Sequence, residues 1–213
     1  MDANVKTARK FSKKCRILMA ESNNSKILQS SFYEIDILEI GGHHKGKRGK
    51  DSENKQPTLL ILSTLEDNNY PQYVKLHTLP NYKGEPIEEY LKEKCLFDPT
   101  IVINCDRDKA FFCLNKLAQL ENSVVDYTKE NHKLKWLNTF TGNIQSNINH
   151  LYRLVKKRDL PLFLSEQEWR INHRYSGKRI MDKVKKYISM STPVTFKQIT
   201  NSVLAYEKQF LSA

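Results

Sequence analysis

The chain has 213 residues, with 35 Lys and Arg against 24 Asp and Glu and a formal net charge of +11, a balance that favours a polyanionic partner reached through its phosphates. Hydrophobic residues at 39% with only 7 Gly and 7 Pro exclude a disordered or fibrous chain. Cys15, Cys95, Cys105 and Cys113 form no C-x-x-C pair, so no zinc ribbon is expected, and no signal peptide or run of about 18 apolar residues is seen, which points to a reducing cytoplasm and no membrane partner.

In chain order, VKTARKFSKKCRILMA at 5–20 places Val5, Ala8, Phe11, Cys15, Leu18 and Met19 on one helical face with Lys and Arg opposite, and SNNS at 22–25 closes this basic helix. FYEIDILEI at 32–40, TLLILST at 58–64 and QYVKLHTL at 72–79 read as strands. The short LEDNNYP connection predicts an antiparallel hairpin for the second and third. Between the first two lies a basic, glycine-rich loop without periodicity. PIEEYLKEKC at 86–95 begins as a helix should, with Pro then acids. TIVIN at 100–104 suits a buried strand, KAFFCLNKLAQL at 109–120 returns to a helical period, and SVVDY at 123–127 reads as another strand. From Trp136 the apolar residues Phe140, Ile144, Ile148 and Leu151 predict one long helix running to about residue 155. Further helices are expected near 163–174, 177–188 and 195–210.

Three strands, then helix, strand, helix, strand and a long helix, is the element order of an α/β, ribonuclease H-like fold: a mixed five-stranded sheet with flanking helices, extended here by carboxy-terminal helices. The corresponding division is a basic helix over 1–25, a core over 30–160 and a helical extension over 161–213. That fold carries metal ligands on its first strand, after its fourth strand and on the following long helix. Asp36, Asp106 and Asn143 occupy those places. Hydrolysis and transfer of phosphodiesters call for two hard cations held by oxygen ligands, which two Asp and an amide oxygen supply. Patterning alone favours Asp36 as a solvent-facing strand residue over a metal ligand, and leaves Asp106 and Asp108 as rival helix caps.

The residues then carry a resemblance. EIDILEIGG at 34–42 resembles the E-[IV]-D-x-x-x-[IV]-G-G segment of a zinc-ribbon-associated group of bacterial insertion-sequence transposases. NVKTARKFSKKCRILMA is similar to that group's Y-K-T-A-W-R helix, and CDRDKAF at 105–111 to its D-x-W-R-A-[YF] motif. WLNTFTGNIQSNINHLYR at 136–153 is similar to its long-helix motif, and QEWRINHR at 167–174 to its closing E-F-x-[FY]-R-[FI]-N-R. The resemblance implies a DNA transposase that cuts insertion-sequence ends and joins them to a target. It implies Asp36 and Asp106 as metal ligands, Asn143 where most members have Glu, two magnesium or manganese ions, no zinc, and a homodimer on double-stranded DNA in a bacterial, nucleoid-associated setting. The group's amino-terminal zinc ribbon and most of its DNA-reading helix-turn-helix are expected to be missing.

Candidate DNA contacts are the loop residues His43, His44, Lys45, Lys47, Arg48 and Lys50, the cations Arg153, Lys156, Lys157 and Arg158 at the expected end of the long helix, and Arg170 and Arg174 near the closing motif. Each has a plainer reading, as a solvated loop, as compensation of a helix dipole, or as an outward face of a helix anchored by Trp169. Because Asn143 is uncharged, a second reading stands beside the enzyme: a degenerate core that binds DNA without catalysis. A structure-selective nuclease is a third.

Overall fold

The computed structural model describes residues 4–41, 55–65, 70–106, 108–122, 134–151, 155–177 and 179–190. The basic loop with His43, His44, Lys45, Lys47, Arg48 and Lys50, the expected strand at 123–127, Arg153 and the expected helix at 195–210 lie outside these residues.

Helix α1 (Val5–Asn24) precedes β1 (Phe32–Ile40), β2 (Gln56–Leu65) and β3 (Tyr70–Thr78). Then follow α2 (Gly84–Lys94), β4 (Val102–Cys105), a 3-10 helix (Lys109–Lys116) and β5 (Gln119–Asn122). Helices α3 (Lys135–Ser146), α4 (Leu160–Asn172) and α5 (Arg179–Met190) complete the described chain. The five strands stand in the order β3-β2-β1-β4-β5. The β1–β2 and β2–β3 pairs are antiparallel, whereas β1–β4 and β4–β5 are parallel. This is the mixed sheet of a ribonuclease H-like fold.

Strand alternation divides the core between the two faces of the sheet. Tyr33, Ile35, Leu59, Ile61, Ile103 and Cys105 meet α2 and the 3-10 helix through Ile87, Leu91, Phe111 and Leu114. On the opposite face Leu38, Ile40, Leu60, Leu62, Val74 and Leu76 meet α3 and α4 through Leu137, Phe140, Ile144, Leu160 and Leu164. Gly84 is required at the first face: a Cβ there would stand 2.8 Å from the Ala110 carbonyl oxygen and 2.9 Å from Cys113 Sγ.

Two elements differ from expectation. The segment expected as one helix over 109–120 is a 3-10 helix that ends at Lys116, and Gln119–Asn122 pairs with β4 as β5. The long helix ends at Ser146 and passes into a π turn over Asn147–Leu151. Lys156, Lys157 and Arg158 therefore do not close α3; they lie immediately before α4. Cations at a helix start gain nothing from its dipole, so that explanation for them is lost. Asp159, at the N-cap of α4, is the charge of favourable sign there, 3.7 Å from Lys13 Nζ.

The free edge of β3 is closed by side chains from α4 and the turn after it. Asn172 Oδ1 accepts from Val74 N–H at 2.8 Å while its Nδ2 donates to Val74 O at 2.9 Å, an imitation of one rung of a β-ladder. Glu168 Oε2 accepts from Leu76 N–H at 3.0 Å, and Arg174 donates to the carbonyls of Pro71, Gln72 and Ile171. Glu168 is itself buried against Lys75, which also reaches the Asn23 carbonyl at the end of α1. Burial pushes the Lys75 ammonium down and the Glu168 carboxyl up from their ordinary values, and each partner opposes the other's shift. Trp169, 1% exposed, anchors α4 and stacks on His173 at 4.2 Å.

Candidate active site

The two expected aspartates meet through strand register. In the parallel β1–β4 pair, Glu34 lies beside Asn104 and Ile35 beside Cys105, so the next residues along each strand are Asp36 and Asp106. Parallel strands are about 4.8 Å apart, and aligned residues share a face. Ile35 and Cys105 belong to the α2 face, which puts Glu34, Asn104, Asp36 and Asp106 on the face covered by α3. β4 ends at Cys105 and β1 continues to Ile40, so the strands part directly beyond the pair. Asp36 is partly buried and Asp106 exposed.

Nearby acids have structural tasks. Asp108 caps the 3-10 helix by accepting from Ala110 N–H at 3.1 Å, and Asp106 Oδ1 accepts from Asp108 N–H at 3.0 Å. The cap is therefore Asp108, which releases Asp106 from that role. Glu39 points to the other face, where Lys55 and the Tyr82 hydroxyl hold its carboxylate. Cys105, fully buried beneath the pair, has its thiol pushed up to about 12 by burial first, and then by the carboxylates of Asp106, Asp108 and Asp36. That thiol stays protonated and inert near neutral pH.

Helix α3 is fixed to β1 at its start. Leu134, at the N-cap, is left-handed at φ 70° and offers no side-chain cap. The buried Glu34 supplies the missing acceptor, with Oε2 taking Leu137 N–H at 3.1 Å, and a carboxylate there also suits the positive end of the helix dipole. Further along, Gln145 Nε2 donates to Glu39 O at 3.5 Å. Leu137 thus lies by Glu34 and Gln145 by Glu39, so α3 runs in the direction of β1.

At 100° per residue, α3 presents two polar flanks on either side of its buried line, Leu137, Phe140 and Ile144. One flank carries Trp136, Asn143 and Asn147. It faces β3 and α4, because Trp136 lies 6.1 Å from the Tyr70 ring and Asn147 Nδ2 donates to Gln167 Oε1 at 3.0 Å. The other carries Asn138, Thr141 and Gln145 and faces β1. Asn143 is exposed and stands 200° around the helix from Gln145. The structure therefore brings Asp36 and Asp106 together and leaves Asn143 on the far flank.

Buried polar atoms collect on the β1-facing flank. Asn138 Nδ2, Thr141 Oγ1 and Asn104 Oδ1 are buried with no hydrogen-bond partner, as are Thr64 Oγ1, Thr78 Oγ1 and Trp169 Nε1 elsewhere in the fold, a condition that costs stability. Among the described residues no three His, Cys, Asp or Glu side chains gather as a metal group. An ion here would thus be held by two carboxylates and neutral oxygens, a donor set that fits a hard divalent cation and not zinc. Sequence reasoning missed Glu34 as the cap of α3, though a Glu two residues before the candidate Asp shares its strand face.

The cationic candidates divide. Arg170 reaches Glu166 Oε1 at 2.8 Å, and Glu166 also holds Arg16 of α1 at 2.7 Å. Arg174, expected to face outward, is turned onto the β3 edge. Lys156, Lys157 and Arg158 are exposed together. No described helix is long and apolar enough to cross a membrane.

No curated protein matches the chain at a significant level. A family model does match, described as the ISXO2-like transposase domain, over residues 32–172. That span runs from the first residue of β1 to the last of α4 and contains both aspartates, the whole sheet and the helix that seals its edge. With about two thirds of its length matched, the chain belongs to the ISXO2-like transposase domain family.

Proposed function

We propose that this chain cuts DNA at insertion-sequence ends and joins the freed 3′-hydroxyl to target DNA in a reaction dependent on divalent metal. The observation that carries the reading is the Asp36–Asp106 pair, set side by side on one sheet face where two parallel strands part. Magnesium or manganese ions bound there would activate the attacking oxygen and relieve charge at the scissile phosphate. Asp36, held by the central strand, fixes one side of the site, and Asp106, at the open end of β4, fixes the other. Helix α3 adds neutral oxygen donors. The exposed Lys156, Lys157 and Arg158 are proposed to hold DNA phosphates, together with His43, His44, Lys45, Lys47, Arg48 and Lys50. Two copies are proposed to act on a pair of ends.

The direct test uses purified chain with DNA carrying the terminal repeats that flank its own coding sequence. Nicked and joined products are expected with magnesium or manganese and are expected to vanish in Asp36→Ala. Full activity in that variant would end the two-aspartate reading.

One observation favours a second reading, a core that binds DNA without cutting it: the α3 flank facing the pair holds Asn138, Thr141 and Gln145 and no carboxylate. Thermal unfolding with manganese separates the two, since a ligand of the folded state raises its melting temperature and a metal-free relic gains nothing.

A further inference from the structure

We infer that Glu34 is a positioning residue of the ion site: its buried carboxylate holds α3 at a fixed height along β1, and that height lets the helix close over Asp36 and Asp106. The inference rests on the reading of the two aspartates as ion-binding carboxylates and concerns what sets the helix against them.

The start of α3 lacks the usual local means of satisfying its backbone. A helix leaves its first N–H groups without intrahelical partners, and a Ser, Thr, Asp or Asn at the N-cap ordinarily accepts from one of them. Here the N-cap is Leu134, at φ 70° and with no side-chain acceptor. The acceptor for Leu137 N–H comes instead from Glu34, 103 residues earlier, whose Oε2 stands 3.1 Å away. A local cap would serve the helix alone. One drawn from the sheet also fixes where the helix sits. Glu34 is 1% exposed, and taking a carboxylate out of water is penalised far more than placing a serine or asparagine at an exposed cap.

The place of Glu34 in the sheet extends the tie to the site. β1 is the central strand, and Glu34 is paired with Leu62 on one side and Asn104 on the other. Asp36 follows two residues later on the same face, about 7 Å along the strand, so the tie and the ion site share one rigid frame. Leu137, Phe140 and Ile144 press α3 onto that face, but apolar burial is non-directional and does not set height to the half-ångström or so that a metal shell requires. Further along, the Gln145–Glu39 bond is 3.5 Å long, at the limit of hydrogen bonding. The Glu34 bond is the firmer of these two directional ties between strand and helix.

The experiment separates reach from charge. Glu34→Gln keeps the length and an acceptor oxygen but loses the charge, whereas Glu34→Asp keeps the charge and is one methylene too short. Manganese is titrated into the full chain without DNA and read by loss of the free Mn(II) signal in electron paramagnetic resonance. Melting temperatures without metal confirm that each variant folds. Glu34→Gln is expected to bind within about threefold of the parent and Glu34→Asp about tenfold weaker or more, the size of effect that groups behind a metal ligand have. Glu34→Leu, which fills a similar volume without an acceptor, is expected to match Glu34→Asp and decides in its place if that chain does not fold. Asn172→Ala, which loosens the far edge of the sheet, is expected to leave the affinity within about twofold. Affinity retained in Glu34→Asp, or lost equally in Glu34→Gln, overturns the inference while sparing the aspartate pair, as does an equal loss in Asn172→Ala. A parent chain that binds no manganese, or binding that survives Asp36→Asn, ends the reading of the pair and this inference with it.

Discussion

The two sides of this sheet treat their polar groups in opposite ways. At the β3 edge, groups that a missing neighbour strand would leave open are taken up by Asn172, Glu168 and Arg174 from α4 and its following turn. On the face that carries Asp36 and Asp106, Asn104 of β4 and Asn138 and Thr141 of α3 keep buried atoms without partners. Both regions are rich in hydrogen-bonding side chains. The edge spends side chains on open strand backbone, whereas the gap beside the aspartates leaves side-chain atoms unspent; because Trp169 Nε1 and Thr78 Oγ1 are also buried without partners, it is the neighbouring carboxylates that set the gap apart.

That contrast can be broken most severely at the gap. Asp36→Ala is expected to reduce DNA cleavage by about a thousandfold or more, because the charge it supplies to the site is worth several kcal/mol. Its melting temperature without metal should stay near that of the parent chain. A large loss of stability would place Asp36 with the satisfied, structural groups instead.

The next effect is read by pH on the sealed side. His77 of β3 stacks on Tyr90 at 3.9 Å, and burial lowers its ionisation from 6.5 to about 4. The unfolded chain takes up a proton below pH 6.5 that the folded chain refuses until about 4. This contribution is fully present above pH 6.5 and is lost as pH falls toward 4, by at most about 3 kcal/mol. Urea denaturation of His77→Phe across that window should show a shallower loss. An unchanged slope would show that His77 does not control it.

Smaller again, Asn172→Ala leaves a strand N–H and C=O without partners and is expected to cost about 1–3 kcal/mol by chemical denaturation. Manganese binding should be unaffected. If metal affinity falls while stability holds, the edge and the gap are one coupled unit and the contrast fails. The smallest effect belongs to the exposed cations: replacing Lys156, Lys157 and Arg158 together by Ala should weaken DNA binding several-fold and lower the slope of log affinity against log salt by up to about three. No change in that slope would return them to plain surface.

Much of the architecture was legible because alternation is a strong signal. The limits of β1 at Phe32 and Ile40 fall where the apolar run begins and ends, since one strand packs both faces of the core. β5 was hidden because Leu114, Leu117 and Leu120 continue a helical spacing, although Leu120 belongs to a strand paired along β4, beside Ile103. The adjacency of Asp36 and Asp106 follows from element order, but the way each flank of α3 faces does not. A motif fixes sequence position, whereas the face depends on contacts such as Glu34 to Leu137 and Gln145 to Glu39, more than 100 residues apart. The edge role of Asn172 was equally invisible, because its partner lies 98 residues earlier.

The sealing of β3 also sets an order of events at birth. A ribosome makes the hairpin early, and Val74 must wait for Asn172 to be synthesised before its backbone has a partner. Through that interval the nascent chain carries an open strand edge, a template for pairing with other chains. Slowing translation between β3 and α4 lengthens that exposure, so the yield of soluble protein should depend on codon choice across that stretch more than on codon choice after it.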